Sequence, residues 1–506
     1  VRTEPWKHKT RVISERDATT WPAELRIERC RLDAWASYLI ARDRLKKLSG
    51  QARLIRFTHQ VAATLSRLTL AGAVVDRSVF QTLGGSLLAA KLEAQDRLTK
   101  LAISRGMTEF SPTNDGHLRE LLYEKLGLPV LGKTTKKRLP SVSKPILQQL
   151  EHEGARLALE FAKNEKLYST NVSGLADLTL PGGFVGTTPV GFLPFHINPL
   201  AARTGRRSST RPNSQNWSPH VRGIVRSRWV DGRIGDFDYS KLEPIILGWY
   251  AGDTRLLEAF TTGGGYRYFA KELWGFDCTE DTPEYRATKS IILGVHYNMQ
   301  TPRMANQLWL LGVKFSADYK EHESRTDRLR RKYLAFVPGV QRYMDQRESE
   351  VLRTEHVVSA DGAVRHLPLP EGRDTPGYGH ALNQAINFPV QRLASSITGS
   401  ALIDLERELL RANNPSYRDW TSLLIEARKQ VLTRGLQHGI MYPYSMIFNE
   451  VHDDLVLDLH PDSMARDVSL ATETMTSVRS FKRLVPDFDI PLKVGVKIGT
   501  HWGEKV

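Results

Sequence analysis

The chain has 506 residues, of which 71 are Lys or Arg and 56 are Asp or Glu, giving a formal net charge of +15. A positive surplus of this size favours a polyanionic partner such as nucleic acid. The two cysteines, Cys30 and Cys278, are too few for a disulfide framework or a cysteine-built zinc cluster.

No apolar run approaches the roughly 18 residues that a membrane span needs. The first residues, VRTEPWKHKTRVISERD, also lack the apolar core of a secretion signal. We therefore expect a cytosolic protein that makes no membrane contact.

The segment that begins near residue 55 is predicted to form a helical, basic lobe. From about residue 55, apolar residues recur at intervals of three and four, which predicts two amphipathic helices joined at GAVVD, 72–76. A later loop rich in Gly, Lys, Thr and Pro carries Lys133, Lys136 and Lys137. Cations on such a loop suit a phosphate clamp, although charge runs are equally often only solvated.

A polar segment at 204–217, TGRRSSTRPNSQNW, follows a β-like stretch. It carries Arg206 together with the amides Asn213 and Gln215. Arg, Asn and Gln side chains are suited to the sugar and base edges of a nucleic-acid groove. A polar surface loop is the alternative interpretation.

The segment GDFDYSKLEPIILGWYAGD, 235–253, reads as a strand, a tight turn and a helix. Asp238 then lies at the end of the strand, with Glu243 five residues further on. A carboxylate at a strand end that faces solvent is a candidate ligand for a divalent metal.

Residues 282–297, TPEYRATKSIILGVHY, predict a helix that begins at Thr282 and Pro283. Cations in its first turns and a ring two turns later would suit a nucleoside triphosphate. Core packing of the apolar members is the alternative. The residues that share one stripe of this helix are Tyr285, Lys289, Leu293 and Tyr297, and Arg286 borders that stripe.

A further strong helix is predicted at 380–410 and places Asn383, Asn387 and Gln391 on one face. Amides at a spacing of four could follow a duplex minor groove. The segment EVHDDLVLDL, 450–459, then predicts a hairpin whose tip carries Asp453 and Asp454. If this tip meets Asp238, the two would hold two magnesium ions about 4 Å apart, as in phosphoryl transfer.

From about residue 55 onward, these segments in this order resemble the polymerase region of family A DNA polymerases. DYSKLE at 238–243, RATKSIILGVHY at 286–297 and VHDD at 451–454 are similar to three motifs of that family. TGRRSSTRPNSQN, at 204–216, and NFPVQ, at 387–391, are similar to two segments that contact the primer–template.

The resemblance implies roles for individual residues. Asp238 and Asp453, with Tyr239 between strand and helix, would bind two Mg²⁺ ions, for which Mn²⁺ is a substitute, and Asp454 would have a supporting catalytic role. Glu243 would exclude a ribose 2′-hydroxyl. The implied nucleotide-binding residues are Tyr239, Glu243, Arg286, Lys289, Leu293 and Tyr297, and the implied DNA-binding residues are Arg206, Asn213, Gln215, Asn387, Gln391, His452, Lys133, Lys136 and Lys137.

The sequence departs from the family pattern at several positions. Tyr285 stands where the family has an arginine, and Leu293 stands where it has an aromatic residue. Asn298 replaces a usual glycine, and Asn383 replaces a usual arginine. These departures suggest a divergent member of phage or viral type.

The resemblance also implies an α+β fold with right-hand polymerase architecture, comprising an antiparallel palm sheet and helical fingers and thumb. An exonuclease domain of well over 100 residues has no room before the thumb, so we expect no proofreading activity. The expected divisions are an N-terminal extension of unknown role at 1–54, a thumb at 55–180 that includes the start of the palm, palm parts at 181–253 and 376–506, and fingers at 254–375.

The function implied is template-directed DNA polymerisation from deoxynucleotides and primer–template DNA, with a separate exonuclease or processivity subunit as a candidate partner. A single-subunit RNA polymerase is one alternative, but Glu243 would exclude its substrate. A catalytically silent DNA-binding protein that keeps the fold is the other. Retention of Asp238, Asp453 and Lys289 argues against it.

Overall fold

The computed structural model describes Trp35, Leu39 and residues 49–132, 134, 138–372, 375–413 and 444–504. The chain divides into two units, Val1–Phe57 and Thr58–Val506. In the first unit, most residues lie outside the described ranges. The candidate site lies entirely within the second unit.

The strands of the described residues form two larger sheets and two small hairpins. In chain order they are β1 (Ala73–Asp76), β2 (Leu180–Val185), β3 (Thr188–Leu193), β4 (His196–Asn198), β5 (Ser208–Thr210), β6 (Val225–Arg226), β7 (Arg233–Tyr239), β8 (His356–Val358), β9 (Val364–His366), β10 (Met446–Val451), β11 (Asp454–Leu459) and β12 (Val494–Gly499).

The α-helices of the described residues fall mainly before β2 and between β7 and β10. In chain order they are α1 (Ala52–Ala71), α2 (Arg77–Ser104), α3 (Asp115–Arg119), α4 (Lys144–Leu147), α5 (Glu153–Tyr168), α6 (Gly174–Ala176), α7 (Pro219–Arg222), α8 (Leu242–Ala251), α9 (Thr254–Thr261), α10 (Tyr266–Trp274), α11 (Pro283–His296), α12 (Thr301–Leu310), α13 (Tyr319–Phe336), α14 (Pro338–Thr354), α15 (Pro376–Asn413), α16 (Met464–Ser477) and α17 (Arg479–Leu484).

The sheet that carries the candidate site is antiparallel, with strand order β10-β11-β7-β12. The sequence predicts the strand ending near Asp238 and the hairpin with Asp453 and Asp454 at its tip, and both are confirmed. The apolar side chains of β10 and β11 are buried because α15 packs against these strands. Burial of these strands on a helical layer fixes their register.

The second sheet has the order β2-β3-β1-β6 and corrects one detail of the sequence prediction. The segment joining α1 to α2 is a strand, β1, rather than a simple helix joint. Gly72, with φ +52°, ends α1 in the left-handed conformation. Val74 and Val75 then pair with β3 and β6, so neighbouring strands decide the conformation of this short apolar segment.

The helix α2 packs against α5 through its own apolar core, which includes Leu98, Ala102 and Phe161. The sequence places this pair in the thumb, and that assignment remains a prediction. Further along, α13 and α14 are separate helices because Pro338 begins the second one. Within the described residues, no helix combines the length and the apolar character that a bilayer crossing requires.

The long helix α15 runs under the palm-like sheet and confirms the strong helix predicted there, although it contains Pro389. Its residues Ala385 and Phe388 pack with Val351 and Val357. Tyr343 of α14 donates a hydrogen bond of 2.8 Å to the Ile386 carbonyl. This packing ties the helical region between β7 and β10 to the layer under the sheet.

Candidate active site

The two predicted acidic segments meet in the structure. Strands β7 and β11 pair so that Asp238 lies opposite Asp454. The backbone N–H of Tyr239 is 3.4 Å from the carbonyl oxygen of Asp453. His452 has φ +59°, which lets the two-residue turn between β10 and β11 place Asp453 beside Asp238. The acids thus come together from segments more than 200 residues apart.

The electrostatics of these acids show an excess of buried negative charge. Burial, together with the hydrogen bond and the charge of Asp238, raises the pKa of Asp454 to about 9. Burial also raises the pKa of Asp453 to about 6, although the Arg206 guanidinium opposes that rise. Carboxylates crowded in this way favour the binding of a divalent cation, which would replace the protons that these groups otherwise hold.

The candidate oxygen ligands fit magnesium better than a metal that is coordinated by protein side chains alone. In the part of the chain that the structure describes, no group of three or more His, Cys, Asp or Glu side chains forms a ready metal cage. Magnesium in phosphoryl-transfer sites is typically held by one or two carboxylates and completed by substrate phosphates and water. Asp238 and Asp453, with the main chain of Tyr239, match that pattern.

The side chain of Tyr239 is not available to a nucleotide. It is 2% exposed, and its hydroxyl donates a hydrogen bond of 2.6 Å to the carbonyl oxygen of Met475. Burial raises its pKa well above the ordinary value. Only the main chain of this residue can take part in the predicted metal or nucleotide binding.

Glu243 lies in the first turn of α8 and forms an ion pair with Arg206. The sequence predicts Arg206 as a primer–template contact, whereas in the structure it lies between Glu243 and Asp453. Burial lowers the pKa of Arg206, and the charge of Asp453 opposes this effect. One guanidinium therefore links the candidate sugar-selecting residue to a candidate metal ligand.

The nucleotide-binding candidates of α11 occupy a well-defined helix. The Thr282 side chain accepts a hydrogen bond from the N–H of Tyr285, which confirms the predicted start of the helix. Lys289 is exposed, and its Nζ lies 5.7 Å from the ring centroid of Tyr266. Arg286 is also exposed. Leu293 and Tyr297 are half-buried, and Tyr297 follows the last helical residue.

The predicted amide contacts differ in how far they are free to bind DNA. Asn213 is exposed, whereas Gln215 is buried. The Gln215 amide accepts a hydrogen bond from the Ser209 N–H and donates one to the Glu450 carbonyl, which joins β5 to β10. Gln215 therefore has a structural role, in addition to the DNA contact that the sequence predicts for it.

The remaining DNA-binding candidates lie around the same face. Asn387 and Gln391 are half-buried on α15, and Asn387 Oδ1 has no hydrogen-bond partner within the described residues. His452 is exposed, and partial burial, together with Arg206 and Arg222, lowers its pKa. Lys133, Lys136 and Lys137 lie outside the described residues.

The sequence does not predict one buried ion pair at the site. Arg207 and Glu450 form an ion pair and are 5% and 2% exposed at their side chains. Arg207 also donates a hydrogen bond of 2.8 Å to the Ser395 carbonyl. The sequence offers only the Arg-Arg pair as a signal, because nothing local indicates that Glu450 is the partner. These residues line a small cleft with Arg206, Gln215, Ser395, His452 and Asp453.

A further contact joins two of the positions where the sequence departs from the family pattern. Asn298 Nδ2 donates a hydrogen bond of 2.9 Å to Asn383 Oδ1. Asn298 has φ +53°, a conformation that asparagine tolerates better than most residues. The end of α11 is thereby attached to α15, and the two departures are parts of one interaction.

Comparison with known proteins gives consistent results. A family model described as DNA polymerase family A matches residues 85–504. DNA polymerase I of Bacillus caldotenax is 26% identical over 479 residues, covering 92% of this chain and 48% of that protein. The thermostable DNA polymerase I of Thermus thermophilus is 25% identical over 474 residues, covering 90% and 49%. The chain thus spans about half the length of these curated relatives.

Among solved structures, the POL domain of Pol1 from M. smegmatis, in complex with DNA primer-template and dNTP, has a similar fold. The TM-score is 0.71 at 22% sequence identity, and the match covers 91% of this chain and 72% of that one. At this identity the likeness concerns the fold. That fold is the α+β polymerase architecture expected from the sequence.

Proposed function

Because the chain belongs to DNA polymerase family A, we propose that it adds deoxynucleotides to the 3′-hydroxyl of a primer under the direction of a template strand. The observation that carries this proposal is the pairing of Asp238 with Asp454, with Asp453 at the adjoining turn. This arrangement puts candidate metal ligands from two motifs at one end of the sheet, next to a cleft that contains Arg206 and His452.

Asp238, Asp453 and the main-chain carbonyl of Tyr239 would hold two Mg²⁺ ions, with Mn²⁺ as a substitute. Bound magnesium would supply activation of the primer hydroxyl and neutralisation of charge on the triphosphate and the leaving pyrophosphate. Asp454 would support Asp238 through their contact. Both acids of the hairpin would thus contribute, Asp453 as a metal ligand and Asp454 as the neighbour that supports Asp238.

The other residues of the site would position the substrates. Lys289 and Arg286 would bind the triphosphate, with Leu293 and Tyr297 beside the base, and Glu243 would occupy the space that a ribose 2′-hydroxyl requires. The residues that would contact the primer–template are Arg206, Asn213, Gln215, Asn387, Gln391, His452, Lys133, Lys136 and Lys137.

We further propose that the protein acts in the cytoplasm of a bacterial or virus-infected cell, as a divergent polymerase of phage or viral type. The replacements at Tyr285, Leu293, Asn298 and Asn383 support this divergence. A separate exonuclease or processivity subunit is a further candidate partner.

Primer extension with deoxynucleotides and ribonucleotides side by side tests the proposal. A primed template, Mg²⁺ and the four deoxynucleoside triphosphates should give full-length product, and ribonucleotides should give little. Extension that prefers ribonucleotides would favour an RNA polymerase. DNA binding without any extension would favour a silent binding protein.

A further inference from the structure

Lys241 occupies an unusual position between the metal-binding strand and α8. It lies three residues after Asp238 and two before Glu243, and its backbone has φ +60°. As the residue that caps the N-terminus of α8, it makes no side-chain capping hydrogen bond. A cation there also opposes the helix dipole. Stability of the helix therefore does not explain a lysine at this position.

The Lys241 side chain extends to the turn that precedes α10. A Cβ atom built on Gly265 would lie 2.5 Å from Lys241 Nζ and 3.0 Å from its Cε, so the ammonium lies directly against the backbone of this glycine. Gly265 is followed directly by Tyr266, and the Nζ of Lys289 lies over the Tyr266 ring. The ammonium groups of Lys241 and Lys289 therefore both lie near the turn formed by Gly265 and Tyr266.

A third lysine borders the same place. Lys493, just before β12, accepts a backbone hydrogen bond of 3.0 Å from the N–H of Ser240, the neighbour of Lys241. The charges of Lys289 and Lys493 both act on Lys241, and Glu280 is the acid that acts on it. A cluster of lysines around one turn favours an anionic ligand.

The helix α11 carries the exposed cations Arg286 and Lys289, but the position one turn before Lys289 is uncharged. Tyr285 stands one turn before Lys289, and its hydroxyl donates a hydrogen bond of 3.4 Å to Glu280 rather than presenting a charge. Lys241 lies on the segment that carries Asp238, and its Nζ lies at Gly265, next to Tyr266. It is therefore placed to add a positive charge to those of Arg286 and Lys289.

We propose that Lys241 is a phosphate-binding residue of this site, which contacts the polyphosphate of the incoming deoxynucleoside triphosphate together with Lys289. The inference rests on the proposed polymerase function and adds a residue to its nucleotide site. Both the nucleotide polyphosphate and the DNA backbone offer phosphate groups to Lys241. The test must therefore distinguish binding of the nucleotide from binding of the DNA backbone.

The test compares Lys241→Gln, which removes the charge, with Lys241→Arg, which keeps it. Lys271→Gln, an exposed substitution on α10, is the matched control. Steady-state extension gives KM for the deoxynucleotide and kcat, and calorimetry gives the Kd of magnesium tripolyphosphate for the enzyme with bound primer–template. We expect Lys241→Gln to raise both KM and this Kd about tenfold, as for loss of one charge-assisted contact.

Affinity for primer–template should change less than about twofold, and Lys241→Arg and the control should resemble the parent. Unchanged KM and tripolyphosphate affinity in Lys241→Gln would overturn the inference. So would weaker primer–template binding with a smaller salt dependence, which would assign the ammonium to the DNA backbone. Equal losses of thermal stability in the Gln and Arg variants, without a difference in KM, would reduce Lys241 to a packing residue.

The tripolyphosphate measurement needs no turnover, so it separates this inference from the proposed function. If the parent protein extends no primer but binds tripolyphosphate through Lys241, the polymerase proposal fails and the anion site stands. If the parent extends primers and Lys241→Gln matches it in both measurements, only the present inference fails.

Discussion

The guanidinium of Arg206 forms an ion pair with the carboxylate of Glu243 and also opposes the rise in the pKa of Asp453. The segment that the sequence associates with DNA thus contacts the residue expected to select the sugar. Glu243 therefore has two properties that substitutions can separate. Its volume is expected to exclude the 2′-hydroxyl, and its charge pairs with Arg206. The first prediction distinguishes them.

Glu243→Ala should admit ribonucleotides, because it empties the space that a 2′-hydroxyl would need. We expect the preference for deoxynucleotides, as a ratio of kcat/KM values, to fall on the order of 10- to 100-fold. Glu243→Gln is the control, since it keeps the volume and removes the charge that pairs with Arg206. Equal loss in both variants would show that the ion pair, rather than the volume, governs selection.

Asp453→Ala should abolish primer extension while primer–template affinity remains close to that of the parent. Loss of a metal-binding carboxylate is expected to lower kcat by about 10³-fold or more. Single-nucleotide extension and DNA binding by anisotropy provide the two measurements. Asp462→Ala, an exposed acid beyond β11, should leave both unchanged. An active Asp453→Ala protein would remove the catalytic assignment.

Arg207→Met should destabilise the fold because it leaves the Glu450 carboxylate buried without its partner. Breaking a buried pair in this way costs about 3–5 kcal/mol, to be measured by urea denaturation. The double variant with Glu450→Gln should recover part of that loss. If Arg207→Met unfolds with the free energy of the parent, the pair carries little stability and a purely functional role for Arg207 gains support.

Asn298 should be sensitive to backbone conformation as well as to its hydrogen bond. Asn298→Ala places an alanine at φ +53° and should cost about 1–2 kcal/mol more than Asn298→Gly, which adopts this conformation freely. A double-mutant cycle of Asn298→Gly and Asn383→Ala should give a coupling energy of about 1 kcal/mol. Simple additivity of the two variants would mean that the contact does not hold α11 to α15.

His296 should make the free energy of unfolding depend on pH. Burial lowers its pKa to about 3, and its Nε2 forms a hydrogen bond of 2.7 Å with the Tyr333 hydroxyl. The unfolded chain binds a proton below about pH 6.5 while the native histidine stays neutral, so stability is greatest above that pH and falls towards pH 3. At pH 5 the contribution lost is about 2 kcal/mol.

Denaturation of the parent and of His296→Gln at pH 7.5 and pH 5.0 measures this effect. The variant should lose about 2 kcal/mol less between the two conditions than the parent does. The same pH dependence in both proteins would show that other groups are responsible. Tyr333→Phe is a useful second variant, since it keeps the histidine and removes only its hydrogen-bond partner.

The sequence predicts those parts of the site that depend on local pattern. The strand before Asp238, the hairpin with Asp453 at its tip and the helix that starts at Thr282 follow from alternation, helical spacing and capping. Each of these signals lies within about a dozen residues. The resemblance to the family then supplies the expectation that the segments assemble.

What the sequence could not predict depends on partners far along the chain. The pairing of Arg207 with Glu450 spans 243 residues, and that of Asn298 with Asn383 spans 85. The strand β1 forms only because β3 and β6 lie on either side of it. No periodicity signals such contacts, because they are selected by the packed tertiary structure.

The position of β7 has a consequence for biosynthesis. It lies between β11 and β12, and both neighbours are encoded more than 200 residues later. While a ribosome is still translating the middle of the chain, β7 is a strand with two unpaired edges, and such edges invite aggregation. Translation must pass Gly499 before Asp238 gains both of its neighbouring strands, so a product released earlier would keep an unpaired edge and be a natural client for chaperones.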